Sequence, residues 1–257
     1  MVFYFTSTGN SLYVAKHLDN EQISIPQEMR KEHRIYQASR IGIVCPLFEF
    51  EVPKLVKDFI RESIFETEYF YLVITYGMHH GGVAQRTQAW LNAIGKKADY
   101  ISTIIMHDNA IIVFDMDEQR RLEPEKQVDA HIADIKADIE AGKKQVQEAE
   151  QGEFDFYEHF VEWIRQTGPM YSFPLYSVTE ACVGCGTCSR VCPRGCIHLE
   201  DGTPAYDYTR CANCMACIQA CPTKAIQFAT VKEPNPKAPY RNPHISLREI
   251  VDANNQA

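Results

Sequence analysis

Two runs of cysteine, "CVGCGTCSRVCP" at 182–193 and "CANCMACIQACP" at 211–222, constrain this chain of 257 residues more than any other feature. A shift of 29 positions superposes Cys182 on Cys211, Cys185 on Cys214, Cys188 on Cys217, Cys192 on Cys221 and Pro193 on Pro222, and carries Ile197 onto Ile226. The segment is an internal duplication, short enough to form one two-fold-like unit. Nine of the ten cysteines lie between 182 and 221, and Cys45 stands alone. No basic-then-apolar leader precedes the first strand-like run and no stretch reaches about 18 apolar residues, which predicts neither secretion nor a membrane span. The expected location is the cytoplasm, where thiols stay reduced, so metal binding is favoured over a disulfide framework.

Each half reads C-x2-C-x2-C-x3-C-P. Three thiolates on one tight loop reach three irons of a cube, while the fourth iron faces away and takes its ligand from the other half. The spacing assigns Cys182, Cys185, Cys188 and Cys221 to one 4Fe–4S cluster, and Cys211, Cys214, Cys217 and Cys192 to a second. Paired C-x2-C units also bind zinc, but three loop cysteines and a following Cys-Pro, all duplicated, exceed what a tetrahedral ion requires. Gly184, Gly186, Ala212 and Ala216 are small enough to let backbone amides approach the sulfurs. Cys196, whose repeat mate is Ala225, is expected to be a small packing residue beside a cluster. Residues 180–228 resemble a bacterial-type two-cluster ferredoxin in its compact form. Such ferredoxins are usually acidic, whereas Arg190, Arg194, Arg210 and Lys224 stand close to the ligands here, which points to a basic docking face.

The chain opens differently. Residues 2–5 are a continuous apolar run typical of a buried parallel strand, and helical spacing resumes at Leu12 and Ala15. Between them, Thr6, Ser7, Thr8, Gly9, Asn10 and Ser11 form a hydroxyl-rich turn into a helix, which is an anion site: hydroxyls donate, Gly9 admits close approach, and the first helical amides are free. The turn has no lysine, which disfavours a nucleoside triphosphate loop and favours a single phosphate monoester. "RIGIVCPLF" at 40–48, "YFYLVITYG" at 69–77 and "YISTIIMH" at 100–107 read as further strands, with an amphipathic helix at 83–94; 23–25 and 34–37 compete for the second strand. Alternating strands and helices imply a parallel sheet that binds ligands beyond the carboxyl ends of its strands.

This half resembles the flavodoxin family: α/β, a doubly wound parallel five-stranded sheet in the order 2-1-3-4-5, with FMN at the switch point. That resemblance implies that Pro46, Leu47, Phe48, Glu49 and Phe50 wrap one side of the flavin ring, with Phe48 stacked on it. Thr75, Tyr76, Gly77, Met78, His79, Gly81 and Gly82 would wrap the other. His79 and His80 are adjacent and lack a third ligand, which argues against a metal there; His79 is expected to shape the pocket.

Residues 118–166 read as one or two helices, and 121–162 carry 12 acidic against 5 basic side chains, a solvated exterior. Gly168-Pro169 and Pro174 mark a boundary. The expected division is a flavodoxin-like unit at 1–168, a linker at 169–175, a small α+β two-cluster unit at 176–230, and a tail at 231–257. In that tail a proline-rich extended stretch leads to a helix opened by a Ser246/Glu249 capping box, too short to stand alone and expected to dock on the front unit.

The whole chain resembles flavodoxin–ferredoxin fusion proteins of anaerobes. The implied role is electron transfer between FMN, two 4Fe–4S clusters and redox-protein partners. A reductase acting on a quinone or another flavin, with Glu49, His79, His80 and His107 as orienting groups, is the alternative; a cluster-based sensor is a third. Net charge is −8, and the front 175 residues hold 27 acidic and 18 basic side chains, which disfavours non-specific nucleic-acid binding. No G-x-G-x-x-G occurs, which disfavours direct NAD(P)H oxidation.

Overall fold

The computed structural model describes residues 1–168, 174–232, 234–235 and 238–256. Most of the expected linker, 169–173, therefore lies outside the described residues, as do Glu233, Pro236 and Lys237 of the proline-rich stretch.

Continuous apolar runs, buried on both faces, build the front half. Strands β1 (Val2–Tyr4), β2 (Gln22–Ser24), β3 (Arg40–Pro46), β4 (Tyr69–Tyr76), β5 (Tyr100–Ile105) and β6 (Gln145–Val146) form one parallel sheet in the order β2-β1-β3-β4-β5-β6. Because successive side chains leave a strand on opposite faces, each run feeds two cores. Phe3, Phe5, Ile41, Ile43, Cys45, Phe70, Leu72 and Ile74 pack under the helices Lys54–Glu62 and Val83–Ala93. Val2, Tyr4, Val44, Tyr69, Tyr71 and Val73 pack on the other side, against Asn10–Leu18 and Val128–Glu140. Gly42 lies under Tyr71, whose ring atoms come within 2.1 Å of where a Cβ would stand, so a larger residue would displace the ring.

The sheet is consistent with a flavodoxin-like fold, with one strand more than the five expected. The extra strand, β6, has two residues on the sheet's edge, and Gln145 N–H donates to Asp99 O at 2.9 Å while Gln147 N–H donates to Ile101 O at 2.8 Å. Two residues are too few to carry a period, so it was hidden in a stretch read as helical. That stretch divides into Met116–Leu122, a 3-10 turn at Glu123–Lys126, Val128–Glu140 and Gln151–Thr167, punctuated by the positive φ of Gln127 and Gly142. Both second-strand candidates are strands: the first, at Gln22–Ser24, enters the sheet, and Ile35–Gln37 pairs with Ile64–Glu66 in a separate parallel ribbon.

Beyond residue 174, Tyr176–Val178 pairs antiparallel with Ile226–Phe228, and Ile197–Glu200 with Thr203–Tyr206. Short helices at Thr187–Arg190 and Ala216–Ala220 follow the two cysteine loops, and the repeat mates Ile197 and Ile226 are both buried. Ile111, Ile112, Met116, Ala238 and Tyr240 join the same core, so the loop after β5 and the tail pack directly on the cysteine-rich unit.

The tail helix Leu247–Asn254 has both halves of its capping box. Asn254 Nδ2 donates to Thr6 O at 2.9 Å, Ser24 Oγ donates to Ala253 O, and Lys16 pairs with Glu249. Among the described residues no helix is long and apolar enough to cross a membrane.

Candidate functional site

A large cavity opens at the carboxyl ends of β1, β3, β4 and β5. It holds about 1250 Å³ of space, counting its open mouth. Its floor is the hydroxyl-rich turn, where Thr6, Ser7, Thr8, Asn10 and Ser11 all reach the wall. Gly9 at φ 106° permits the turn, and a Cβ there would meet Asn242 and Ile245 of the tail at 2.9 Å. Gly9 N–H donates to Thr6 Oγ1 at 3.0 Å and Ser11 Oγ shares a hydrogen bond with Thr75 Oγ1 at 3.0 Å. No side chain caps the helix that follows, so its first-turn amides have no side-chain capping partner. Among the described residues no lysine or arginine lines the wall. A phosphate monoester bound by hydroxyls, amides and the helix dipole fits this floor.

One side wall is Pro46, Leu47, Phe48, Glu49 and Phe50. Leu47 N–H donates to Thr75 O at 2.8 Å, and Phe48 and Glu51 exchange backbone hydrogen bonds across a tight turn that puts Glu49 and Phe50 at φ 49° and 64°. Arg86 anchors the turn by bonding Phe50 O and Glu51. Phe48 sets its ring edge-on to Phe5 at 5.9 Å, and burial raises the pKa of the Glu49 carboxyl.

The opposite wall contains Thr75, Tyr76, Gly77, Met78 and His79. Gly9, Gly81 and Gly82, expected at the ligand, are not part of the wall. A Cβ at Gly81 would meet Phe50 at 2.7 Å and Tyr157 at 3.0 Å, and one at Gly82 would meet Phe154 at 2.3 Å, so side chains, two of them from the helix Gln151–Thr167, already pack against both glycines. That helix is held by Glu153, whose carboxylate accepts from His80 N–H and Gly81 N–H at 2.8 Å each and lies 3.1 Å from His79 Nδ1. These donors hold the Glu153 pKa below its ordinary value despite the opposing effect of burial. Phe156 of the same helix stacks on His79 at 4.0 Å, and Phe156 and Phe160 both reach the cavity.

The last wall has no signature in the sequence: His107, expected as an orienting group, is joined there by Asp108, Asn109, Ala110, Val113 and Phe114 after β5. Asn213, Cys214 and Met215 complete it, so a cysteine loop closes the cavity whose floor is the phosphate turn. Nothing local in "HDNA" signals this role. It arises because Asn10 Nδ2 donates to His107 O at 3.0 Å, folding that loop onto the turn.

Two smaller cavities lie in the cysteine-rich unit. Cys182, Cys185, Cys188 and Cys221 surround one of about 310 Å³; Cys192, Cys211, Cys214 and Cys217, with Cys196, surround one of about 320 Å³. All ten cysteines are free. Each set of four thiols lines its own small cavity, and four thiolates are the donor set that a 4Fe–4S cluster takes. Ala225 N–H donates to Cys221 Sγ at 3.2 Å and Cys196 N–H to Cys192 Sγ at 3.4 Å, the same bond in each half of the repeat. Cys185 is exposed and its pKa is lowered, chiefly by Thr187, whereas burial pushes Cys214 and Cys217 up. Arg190 donates to Cys185 O at 3.2 Å, at the exposed end.

Residues 181–225 match the description of the 4Fe-4S dicluster domain. Over 57 residues the chain is 46% identical to an uncharacterised ferredoxin of Methanocaldococcus jannaschii, spanning 21% of this chain and 74% of that protein. Over 67 residues it is 34% identical to the PorD component of pyruvate synthase from Methanothermobacter marburgensis, 26% of this chain and 79% of that one. Over 42 residues it is 48% identical to a component of the Na(+)-translocating ferredoxin:NAD(+) oxidoreductase complex of Acetobacterium woodii, 16% of this chain and 13% of that component. A solved rubredoxin oxygen:oxidoreductase of Desulfovibrio gigas aligns with 53% of this chain and 36% of its own at 12% identity and a TM-score of 0.29, too slight a likeness to bear on fold or ligand.

Proposed function

Through residues 181–225 the chain belongs to the 4Fe-4S dicluster ferredoxin family, and from that membership we propose that it is an electron-transfer protein joining an FMN site to two clusters and to redox-protein partners. The observation that carries the proposal is the shared wall: Cys214 and its neighbours line the same cavity as Thr6–Ser11. In this reading residues 1–168 hold the flavin, 176–230 hold the clusters, 169–175 link them and 231–257 strap them together, in a reducing compartment such as the cytoplasm. Bound there, FMN supplies a two-electron store and the clusters one-electron exchange.

The chain's own residues do the placing. Thr6, Ser7, Thr8 and Ser11 hold a phosphate, the 46–50 and 75–79 walls sandwich a planar ring, and Phe156 and Phe160 keep water from its outer end. Cys182, Cys185, Cys188 and Cys221 hold the cluster at the exposed end, and Cys211, Cys214, Cys217 and Cys192 the one beside the cavity. The reductase alternative draws on the open mouth, where Glu49 and His79 stand.

Anaerobic reductive titration of reconstituted protein, followed by absorbance and electron paramagnetic resonance with iron and flavin quantified, tests this. Uptake of about four electrons per chain is expected, two by FMN and one by each cluster. Uptake of about two with no flavin would overturn the flavin part and leave a cluster-only protein.

A further inference from the structure

All 17 residues of the helix Gln151–Thr167 keep some contact with solvent, yet one side of the helix spans the two loops that wall the large cavity. Phe156 stacks on His79 at 4.0 Å and tilts against Phe50 at 5.7 Å, so one side chain touches the 75–79 wall and the 46–50 wall together. Phe160 lies against Phe50 at 4.9 Å. Other contacts fix how the helix is turned: Arg86 sits over the Tyr157 ring at 3.8 Å, Phe154 packs on Gly82, and Glu153 accepts from His80 N–H and Gly81 N–H.

Phe156 and Phe160 are four residues apart, which puts them on the same side of the helix, and both line the cavity, so that side is the one turned toward its space. Phe156 is 39% exposed: His79 covers one face of its ring, and surface remains open beyond that contact. Phe48, the aromatic expected on a flavin ring, is engaged elsewhere, edge-on to Phe5 and packed on the core under Lys54–Glu62. An open aromatic surface inside a cavity is suited to another planar ring, since stacking adds to the gain from burial. The phosphate turn lines the same cavity, so a molecule with a phosphate at one end and a planar ring at the other meets both.

We infer that Phe156 and Phe160 are ring-binding residues: the helix Gln151–Thr167, outside both loops, supplies an aromatic third wall that packs on the planar ring of the molecule whose phosphate Thr6–Ser11 hold. The inference rests on the FMN reading above. It gives Glu153 and His79 positioning roles, since Glu153 anchors the helix and His79 backs the Phe156 ring.

The test uses the full, cluster-loaded chain under anaerobic conditions. FMN and riboflavin are titrated separately, with free flavin measured after ultrafiltration, and inorganic phosphate is titrated as a competitor of FMN. Phe156→Ala is expected to weaken FMN and riboflavin alike by about tenfold, the scale of one lost aromatic contact, and to leave the competing strength of phosphate unchanged. Phe160→Ala acts in the same direction, and Phe156→Tyr, which keeps the ring, holds both flavins as the wild type does. Unaltered flavin affinity in the double variant Phe156→Ala/Phe160→Ala overturns the inference, since the two rings would then meet only solvent. Weaker phosphate alongside weaker flavins overturns it too, because the helix would then support the fold of the site and not contact the ring. A loss confined to FMN also overturns it, by placing the effect at the turn. Should Phe156→Ala fail to fold, Phe156→Leu carries the same comparison. A wild-type chain that binds no FMN sinks the preceding reading and this inference together; a wild type that binds FMN with an insensitive double variant sinks this inference alone.

Discussion

Cys196 lies with its sulfur 3.3 Å from Cys192 Sγ, inside the second thiol ring, yet its repeat mate is Ala225. What the two positions share is the backbone: each donates its N–H to the sulfur of the cysteine four residues earlier. An alanine performs that task equally well, so the thiol is dispensable for holding a cluster. Cys196→Ala is expected to retain about eight irons per reconstituted chain, whereas Cys192→Ala falls toward about four. Colorimetric iron and electron paramagnetic resonance on both variants decide it, and iron loss in Cys196→Ala would make that thiol a ligand. At this scale the sequence was legible where function is local. Eight cysteines at fixed spacing foretell which four share a cavity, because one loop supplies three of them. Asp108 and Met215 carry no such spacing; they reach the large cavity only because distant segments fold together.

Elements show the same division between local and tertiary causes. The tail helix was legible because a capping box is written in adjacent residues, Ser246 and Glu249, and Ser246 Oγ does accept from Glu249 N–H at 3.2 Å while Glu249 accepts from Ser246 N–H at 2.8 Å. The edge strand β6 was not, since its backbone partners at Asp99 and Ile101 lie more than 40 residues away. The capping box matters beyond the helix, because Ile245, Ile250 and Ala253 belong to the same core as Leu12 and Val14. Ser246→Ala is expected to cost about 1 kcal/mol of stability, read by thermal or denaturant unfolding of the full chain. A variant as stable as the wild type would mean that the tail is held by its packing alone.

For the whole molecule, the question is whether the two halves are independent beads or one cooperative unit. Tyr240 is the junction: its hydroxyl donates to Asn10 Oδ1 at 2.7 Å beside the phosphate turn, and its backbone N–H donates to Gln219 Oε1 at 2.6 Å on the helix that carries Cys217. Gln219 Nε2 in turn donates to Asn109 O at 2.7 Å, and Asn242 N–H donates to Thr8 O at 2.8 Å. Every one of these polar groups belongs to a buried or half-buried residue, so none is readily replaced by water if the cysteine-rich unit loosens. Metal sites of this type are completed only when metal binds, which makes cluster loading part of folding. Chelating the iron should therefore slacken Ala216–Ala220, release Gln219, and loosen both the turn and the wall at Asn213–Met215. FMN affinity is expected to fall at least about fivefold in the stripped chain, the low end of ordinary coupling between sites. Gln219→Leu should shrink that difference while leaving the iron content of the loaded protein intact. Equal FMN affinity with and without iron would show that the shared wall and the Tyr240 junction transmit nothing, and that the halves work as separate carriers on one chain.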